Sequence, residues 1–535
     1  MVYLGTKSIR KDFLAVGLIT ILYAIISFIN LGDMSAPQTF EELSEGQSID
    51  FYFGEAQNIS RVMLYNGETP GNYRVYCPDN MGESSEKEFD EELDDSEAMT
   101  RSSDESSESG EDINLNLLTE VTNTSAFYWT NIDLWNTNTD HLHIEGLKKD
   151  DDSFYLGEVG FFDESGHQIQ VTSYSDSVKT VLDAANSPEL EYSFLLDEQD
   201  LVPYDSTYMN STYFDEIYFA RTAYEYATGR RAYEWVHPPI GKILQAIPIQ
   251  LLGMTPFAWR LGGNLCGILM IPLTYMLADH LLKNKKWAVF AALLMALDTF
   301  HFAHTRMGTV DSYLVIFCML EVLFMLRYVD SHKKYNLVWS GLFMGCGIST
   351  KWSGCFTALG IAVIFFADFF AHLSETKKQQ GEILKLAGIC IGSFIILPLI
   401  LYFGSYMAFP KVTIGYAGRL VEADNGGSYH CDLSDDYLET IRRTSPPPDV
   451  IANEVIDTPL DVVCQAIGVM DYHTGLQDTH PFESPWYSWP FDWKPVWYYA
   501  HSADYYSTIS GIGNLVIYLL GFLGIIFQLY QLIAK

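Results

Sequence analysis

Eight apolar runs constrain this chain more than any other feature: residues 13–31, 261–278, 287–297, 312–326, 337–348, 353–370, 386–407 and 509–533. A helix needs about 20 apolar residues to cross a bilayer, so the longer runs are membrane spans. The first follows Lys7, Arg10 and Lys11. It is long for the apolar region of a signal peptide and lacks a convincing cleavage site behind it, so it reads as a retained anchor. Shorter runs, and the one carrying Glu321, are expected to be buried in a bundle or to end in a polar cavity. The fold class is a polytopic α-helical membrane protein of about eight spans.

Basic residues set the orientation. Lys7/Arg10/Lys11, Lys283/Lys285/Lys286, Lys333/Lys334, Lys377/Lys378/Lys385 and Lys535 fall in alternate loops. The positive-inside rule puts them in the cytoplasm. Segments 32–256 and 408–508, and the turns near 298–310 and 349–352, then lie outside. The expected organisation is a tail and first span (1–31), an outside β-rich insertion (32–205), a membrane core (206–407), an outside loop (408–508) and a last span (509–535).

The insertion has a different character. Short runs at 61–65, 73–77, 141–144, 155–162 and 168–173 are cut by Gly, Asn and Asp, which predicts a small β-sandwich. The pattern from Phe154 to Asp163, closed by Gly166, resembles a discoidin-like jelly roll. A plain spacer and a carbohydrate-binding domain remain equal readings. Between Glu83 and Asp112 stand 14 acidic residues against Lys87 and Arg101. That stretch cannot bury enough apolar surface to fold, and a disordered loop is expected. The whole chain carries a formal charge of −36, which argues against nucleic acid as a partner. Asn58, Asn123 and Asn210 open glycosylation triplets. Cys431 and Cys464 lie in the outside loop and could pair.

Chemistry gathers on the outside. Asp215-Glu216 sits among aromatics, where a carboxylate could deprotonate an acceptor hydroxyl. His237-Pro238-Pro239 fixes an extended segment, and His237 and Lys242 could face a phosphate. Asp298, His301, His304 and Arg306 share one turn, with Asp311 opening the next span. A metal shared by Asp298, His301 and His304 has no cysteine or close third histidine to support it, and no metal or cofactor is expected. Lys351, between two apolar runs, is costly there unless it snorkels or holds an anion.

Asp215-Glu216, His237-Pro238-Pro239, Ala303 to Ser312, Ser349-Thr350-Lys351-Trp352, and the loop from His480 through Trp489-Pro490 to Tyr499 occur in that order. Together they resemble the protein O-mannosyltransferases, integral-membrane glycosyltransferases of the C-type fold. The likeness covers roughly 207–535. It is nearer the bacterial branch, since no segment is long enough for β-trefoil domains. It implies inverting transfer of mannose from a polyprenyl-phosphate donor to Ser or Thr of exported proteins, at a multi-pass site on the outer face of the cell membrane. Asp215 becomes the general base and Glu216 its neighbour in the acceptor site. Lys351 and Arg306, then His237 and Lys242, hold the donor phosphate. His480, Glu483 and Trp489 belong to the acceptor loop. Family members usually continue with more spans, and Gly513-Asn514-Leu515 stands where Gly-Asn-Pro is expected, so the implied chain is shortened. A C-type transferase with a lipid or cell-wall glycan acceptor is the nearest alternative. A sugar-binding receptor or transporter is the other.

Overall fold

A computed structural model of the chain describes residues 3–78, 115–122, 124–147, 153–176, 182–183, 194–230, 232–373, 380–408, 419–422, 429–432, 459–475, 484–502 and 506–534. They form two compact units. One comprises Met1–Gln38, Ser125–Trp129 and Asp205–Lys535, the other Thr39–Thr124 and Thr130–Tyr204. The acidic stretch 83–112 lies outside the described residues, as do Asn123 and the side chain of Cys464.

The first unit is helical. Its elements are α1 (Tyr3–Phe28), α2 (Glu216–Thr228), α3 (Ile240–Leu252), α4 (Pro256–Leu282), α5 (Lys285–Ala296), α6 (Thr299–Thr305), α7 (Asp311–Ser331), α8 (Tyr335–Ile348), α9 (Gly354–Ala371), α10 (Gln380–Ile391), α11 (Leu397–Met407), α12 (Pro459–Gly475) and α13 (Leu515–Ala534). A π turn, Gly392–Ile396, joins α10 to α11. Six spans among the described residues are long and apolar enough to cross a membrane, and α5 with α6, bent by 57°, makes up to seven. The bend falls at Asp298, whose carboxylate accepts from the backbone N–H of His301 (3.1 Å) and of Asn514 (2.9 Å). Asp298 is therefore a helix cap, which accounts for its place in that turn without a metal.

The run 337–348 is shorter than a lone bilayer-spanning helix needs, yet its flanks reach opposite ends of α7, Lys334 near the Asp330 end and Lys351 at Asp311. It forms α8, whose 14 residues rise only about 21 Å. The helix packs closely instead: a Cβ on Gly341 would stand 2.0 Å from the Ser393 carbonyl oxygen in the π turn. Ser340 donates to the Glu321 carbonyl at 2.9 Å, and Glu321 itself is 1% exposed, an acidic residue turned into the bundle.

Helix ends sort by charge. Lys351, just past α8, reaches Asp311 at the start of α7. At the far end of α7, Asp330 takes Lys283 at 2.5 Å, and Lys334 and Lys385 share Glu382 at 2.6 and 3.0 Å. The basic loops and Lys351 thus occupy opposite ends of one helix.

The second unit is a nine-stranded sheet with the path β1-β6-β2-β5-β3-β4. These strands are β1 (Glu41–Ser44), β2 (Ser48–Asn66), β3 (Asn72–Pro78), β4 (Leu115–Val121), β5 (Tyr128–Leu147) and β6 (Ser153–Phe162), with β7 (Gln168–Ile169), β8 (Ser173–Asp176) and β9 (Leu182–Asp183) paired off the path. Strand β2 serves three neighbours: it lies between β6 and β5 on the path, and residues 49–52 pair with β8 while 61–66 pair with β6, both antiparallel. Ile49, Phe51 and Phe53 point into the core with Phe161 and Tyr174, while Asp50 and Tyr52 alternate outward.

Candidate active site

Four helix ends of the first unit converge. The chain enters α2 through Phe214, held at φ 50°, so that Asp215 is the N-cap residue and Glu216 opens the helix. Pro238-Pro239 leads into α3, and the N–H of Ile240 donates to the Ser349 carbonyl at the end of α8 (2.9 Å). Asp311 begins α7 beside them.

Lys351 donates to Asp311 at 2.9 Å, and its other two ammonium hydrogens have no acceptor among the described residues. His304 stands 3.9 Å from the second Asp311 oxygen, and its Nδ1 lies 3.2 Å from the Tyr498 hydroxyl. Asp215 is half-buried, and its carboxylate makes no hydrogen bond or ion pair among the described residues. Burial pushes its pKa up, and the charge of Asp311 adds to that. Lys351 and His237 pull the other way without reversing it. An unshared, strengthened base thus faces a lysine with donors to spare.

Adjacent Glu216 has a different fate. It is fully buried, and Arg260 grips both its oxygens at 2.7 Å while the N–H of Gly308 donates at 2.8 Å. Arg260 also donates to the carbonyls of Leu31, Tyr208 and Ser211. The expectation that Glu216 shares the acceptor site is corrected: its oxygens are occupied in tying α2, α4 and the 208–213 loop together.

Lys242 is likewise corrected. It is 1% exposed, and its three N–H groups go to Glu234 O (2.6 Å), Glu234 Oε2 (2.9 Å) and His237 O (2.7 Å), leaving none for a phosphate. Burial works against the Glu234 charge, but Lys242 and His237 more than offset it and hold this carboxyl well below its usual range. His237 is fixed by the same residue, Nδ1 to Oε1 at 2.9 Å, and its ring charge is felt at Asp215. It stays at the site as a positioned imidazole.

Arg306 turns away. It donates to the carbonyls of Ile29 (2.5 Å) and Asn30 (2.6 Å), and lines a separate cavity of about 550 Å³ with Tyr208, Tyr213 and Arg260. The expectation that it joins Lys351 at one phosphate is not met. Trp489 is exposed on a 3-10 turn, donating to Ser484 O at 3.0 Å. His480 and Glu483 lie outside the described residues.

Beside Lys351 opens an apolar groove of about 750 Å³ lined by Trp352, Cys355, Tyr402, Phe403 and Val462. A second cavity of about 360 Å³ shares Met344, Phe394 and Ile395 with it, so the groove runs on between α7, α8, α9 and the π turn.

Sequence reasoning missed Arg260 and Glu234, and it gave Tyr498, inside the 480–499 motif, no role of its own. Arg260 had a signal: an arginine at the mouth of an apolar helix requires a partner.

Residues 245–409 match the family model described as dolichyl-phosphate-mannose-protein mannosyltransferase. That stretch includes Arg260, Asp311 and Lys351, while Asp215 and His237 precede it. A polyprenol-phosphate-mannose–protein mannosyltransferase of Corynebacterium glutamicum is 25% identical over 317 residues, 54% of this chain and 57% of that protein. Its namesake from Mycolicibacterium smegmatis is 23% identical over 303 residues, 50% of this chain and 54% of that protein. Dolichyl-phosphate-mannose–protein mannosyltransferase 4 of Saccharomyces cerevisiae is 26% identical over 246 residues, 39% of this chain and 32% of that protein. The chain spans about half the length of the bacterial relatives it matches. Over these stretches its membrane unit is similar to the protein O-mannosyltransferases.

Proposed function

We propose that this chain transfers mannose from a polyprenyl-phosphate carrier to Ser or Thr hydroxyls of exported proteins. The observation that carries the reading is the half-buried carboxylate of Asp215, unpaired among the described residues, beside Lys351 at the mouth of an apolar groove. In the transfer step the acceptor O–H gives its proton to Asp215 as its oxygen bonds to the sugar's anomeric carbon. The bond from that carbon to the carrier phosphate breaks, and attack from the opposite face inverts the centre. Charge building on the departing phosphate is stabilised by Lys351, already held in place by Asp311. The groove accommodates the isoprenoid tail, and Trp352 marks the interface level. Clustering of Lys283, Lys334 and Lys385 at the other end of α7 supports an extracytoplasmic active site in the cell membrane.

Lys351 supplies the test. Methionine keeps the apolar stem without the charge, so Lys351→Met is expected to raise the apparent Michaelis constant for the lipid-linked donor and to lower turnover. Lys351→Arg retains measurable transfer. Parental donor dependence in the methionine variant, at matched expression in detergent, would remove the phosphate role from this residue.

A further inference from the structure

A second constellation stands at the end of α7 remote from Asp215. His332 caps the C-terminus of α7 in the left-handed region (φ 51°), and His372 caps the C-terminus of α9, four residues after Asp368. The carboxylate of Asp368 lies between the two imidazoles: His332 Nε2 is 3.2 Å from Oδ2, and His372 Nδ1 is 3.3 Å from Oδ1. The rings meet edge to face with centroids 5.0 Å apart, and one ligand atom from each of the three residues falls within 4.8 Å of the others.

We propose that His332, Asp368 and His372 bind a first-row divalent cation, of which Zn²⁺ fits the donors best. Two imidazoles and a carboxylate are a borderline nitrogen and oxygen set suited to such an ion. The spacing agrees. Bonds of about 2.0–2.2 Å put neighbouring ligand atoms about 3.0–3.4 Å apart, and the two histidine nitrogens lie 3.2 and 3.3 Å from the two Asp368 oxygens, one to each. The setting agrees too: two helix C-termini end here, each presenting the negative end of its dipole to a cation.

Asp368 is 8% exposed and fixed, whereas His332 and His372 are 46% and 47% exposed. An ion therefore has a route in, and water can complete the shell. The Asp368 carbonyl, 2.9 Å from His372 Nδ1, accepts that N–H when no ion is present. Binding at Nδ1 moves this proton to Nε2. The bound ion ties the inner ends of α7 and α9 into one unit.

Cobalt titration tests this. The full chain, purified in detergent without a polyhistidine tag and stripped by chelator, is expected to take up one equivalent of Co²⁺ with saturable visible absorption that Zn²⁺ abolishes. His332→Gln and His372→Gln should each weaken binding by more than about 10-fold. Zn²⁺ should raise the melting temperature of the parent and leave the double variant unmoved. Absence of a saturable band, or equal affinity in parent and double variant, overturns the site.

Discussion

Asp215→Asn is expected to lower the transfer rate by about 10²-fold or more while the protein still folds and binds its donor. Asparagine keeps the shape and loses only the proton acceptor, and a positioned general base is worth at least that much. Folding survives because the Asp215 carboxylate makes no hydrogen bond or ion pair among the described residues. The pH profile carries an independent signature. Burial and Asp311 raise the Asp215 pKa, so activity should be lost on the acid side at a pH above the ordinary carboxylate range. Only the deprotonated form accepts a proton. Removing Asp311 as Asp311→Asn withdraws a charge that raises this pKa and should move the acid limb down. Removing Lys351 as Lys351→Met withdraws a charge that lowers it and should move the limb up. Opposite displacements from two partners of one ion pair are hard to obtain unless Asp215 is the titrating group.

Glu216→Gln is expected to fail differently. Arg260, 1% exposed, would keep its charge and lose its only carboxylate partner among the described residues. Breaking one side of such a buried pair costs about 3–5 kcal/mol. Thermal unfolding of the detergent-solubilised variant should shift down sharply, with little intact protein left to assay. Adding Arg260→Met removes the stranded charge and should recover part of the loss, since a buried pair replaced as a whole is far less costly than one half removed. A Glu216→Gln protein with the parental melting curve and no turnover would instead return Glu216 to the reaction.

The contrast between these neighbours shows what a sequence can and cannot tell. Asp215-Glu216 reads as one acidic pair, yet successive helical residues point about 100° apart, so only one can face a given site. Lys351 was legible because a lysine at the end of an apolar run must snorkel or find an anion. Lys242 was not: its burial depends on the turn through Pro238-Pro239 that brings the Glu234 and His237 carbonyls onto its ammonium group. Arg306 shares a segment with His304 and Asp311 but leaves in another direction, because its carbonyl acceptors come from the end of α1, 277 and 276 residues away. Local patterning served the sheet well. Residues 61–65, 73–77 and 141–144 all fall in strands, with Ile49, Phe51 and Phe53 on the inner side by simple alternation. How the long β2 divides between β8 and β6 follows from distant partners and was not readable. At 337–348 the run is only 14 residues of helix, yet its flanking Lys334 and Lys351 stand at opposite ends of α7, so it runs the length of the bundle without the length of a lone span.

The proposed transfer of mannose from a polyprenyl-phosphate carrier to protein hydroxyls can be measured directly. Membranes containing the chain should be given radiolabelled polyprenyl-phosphate mannose with a Ser/Thr-containing peptide or with a lipid acceptor. The account predicts label in the peptide, alkali-releasable as an O-linked sugar, with little transfer when Asp215→Asn replaces the parent. Label entering only the lipid acceptor, or entering the peptide equally in membranes without the chain, would contradict it.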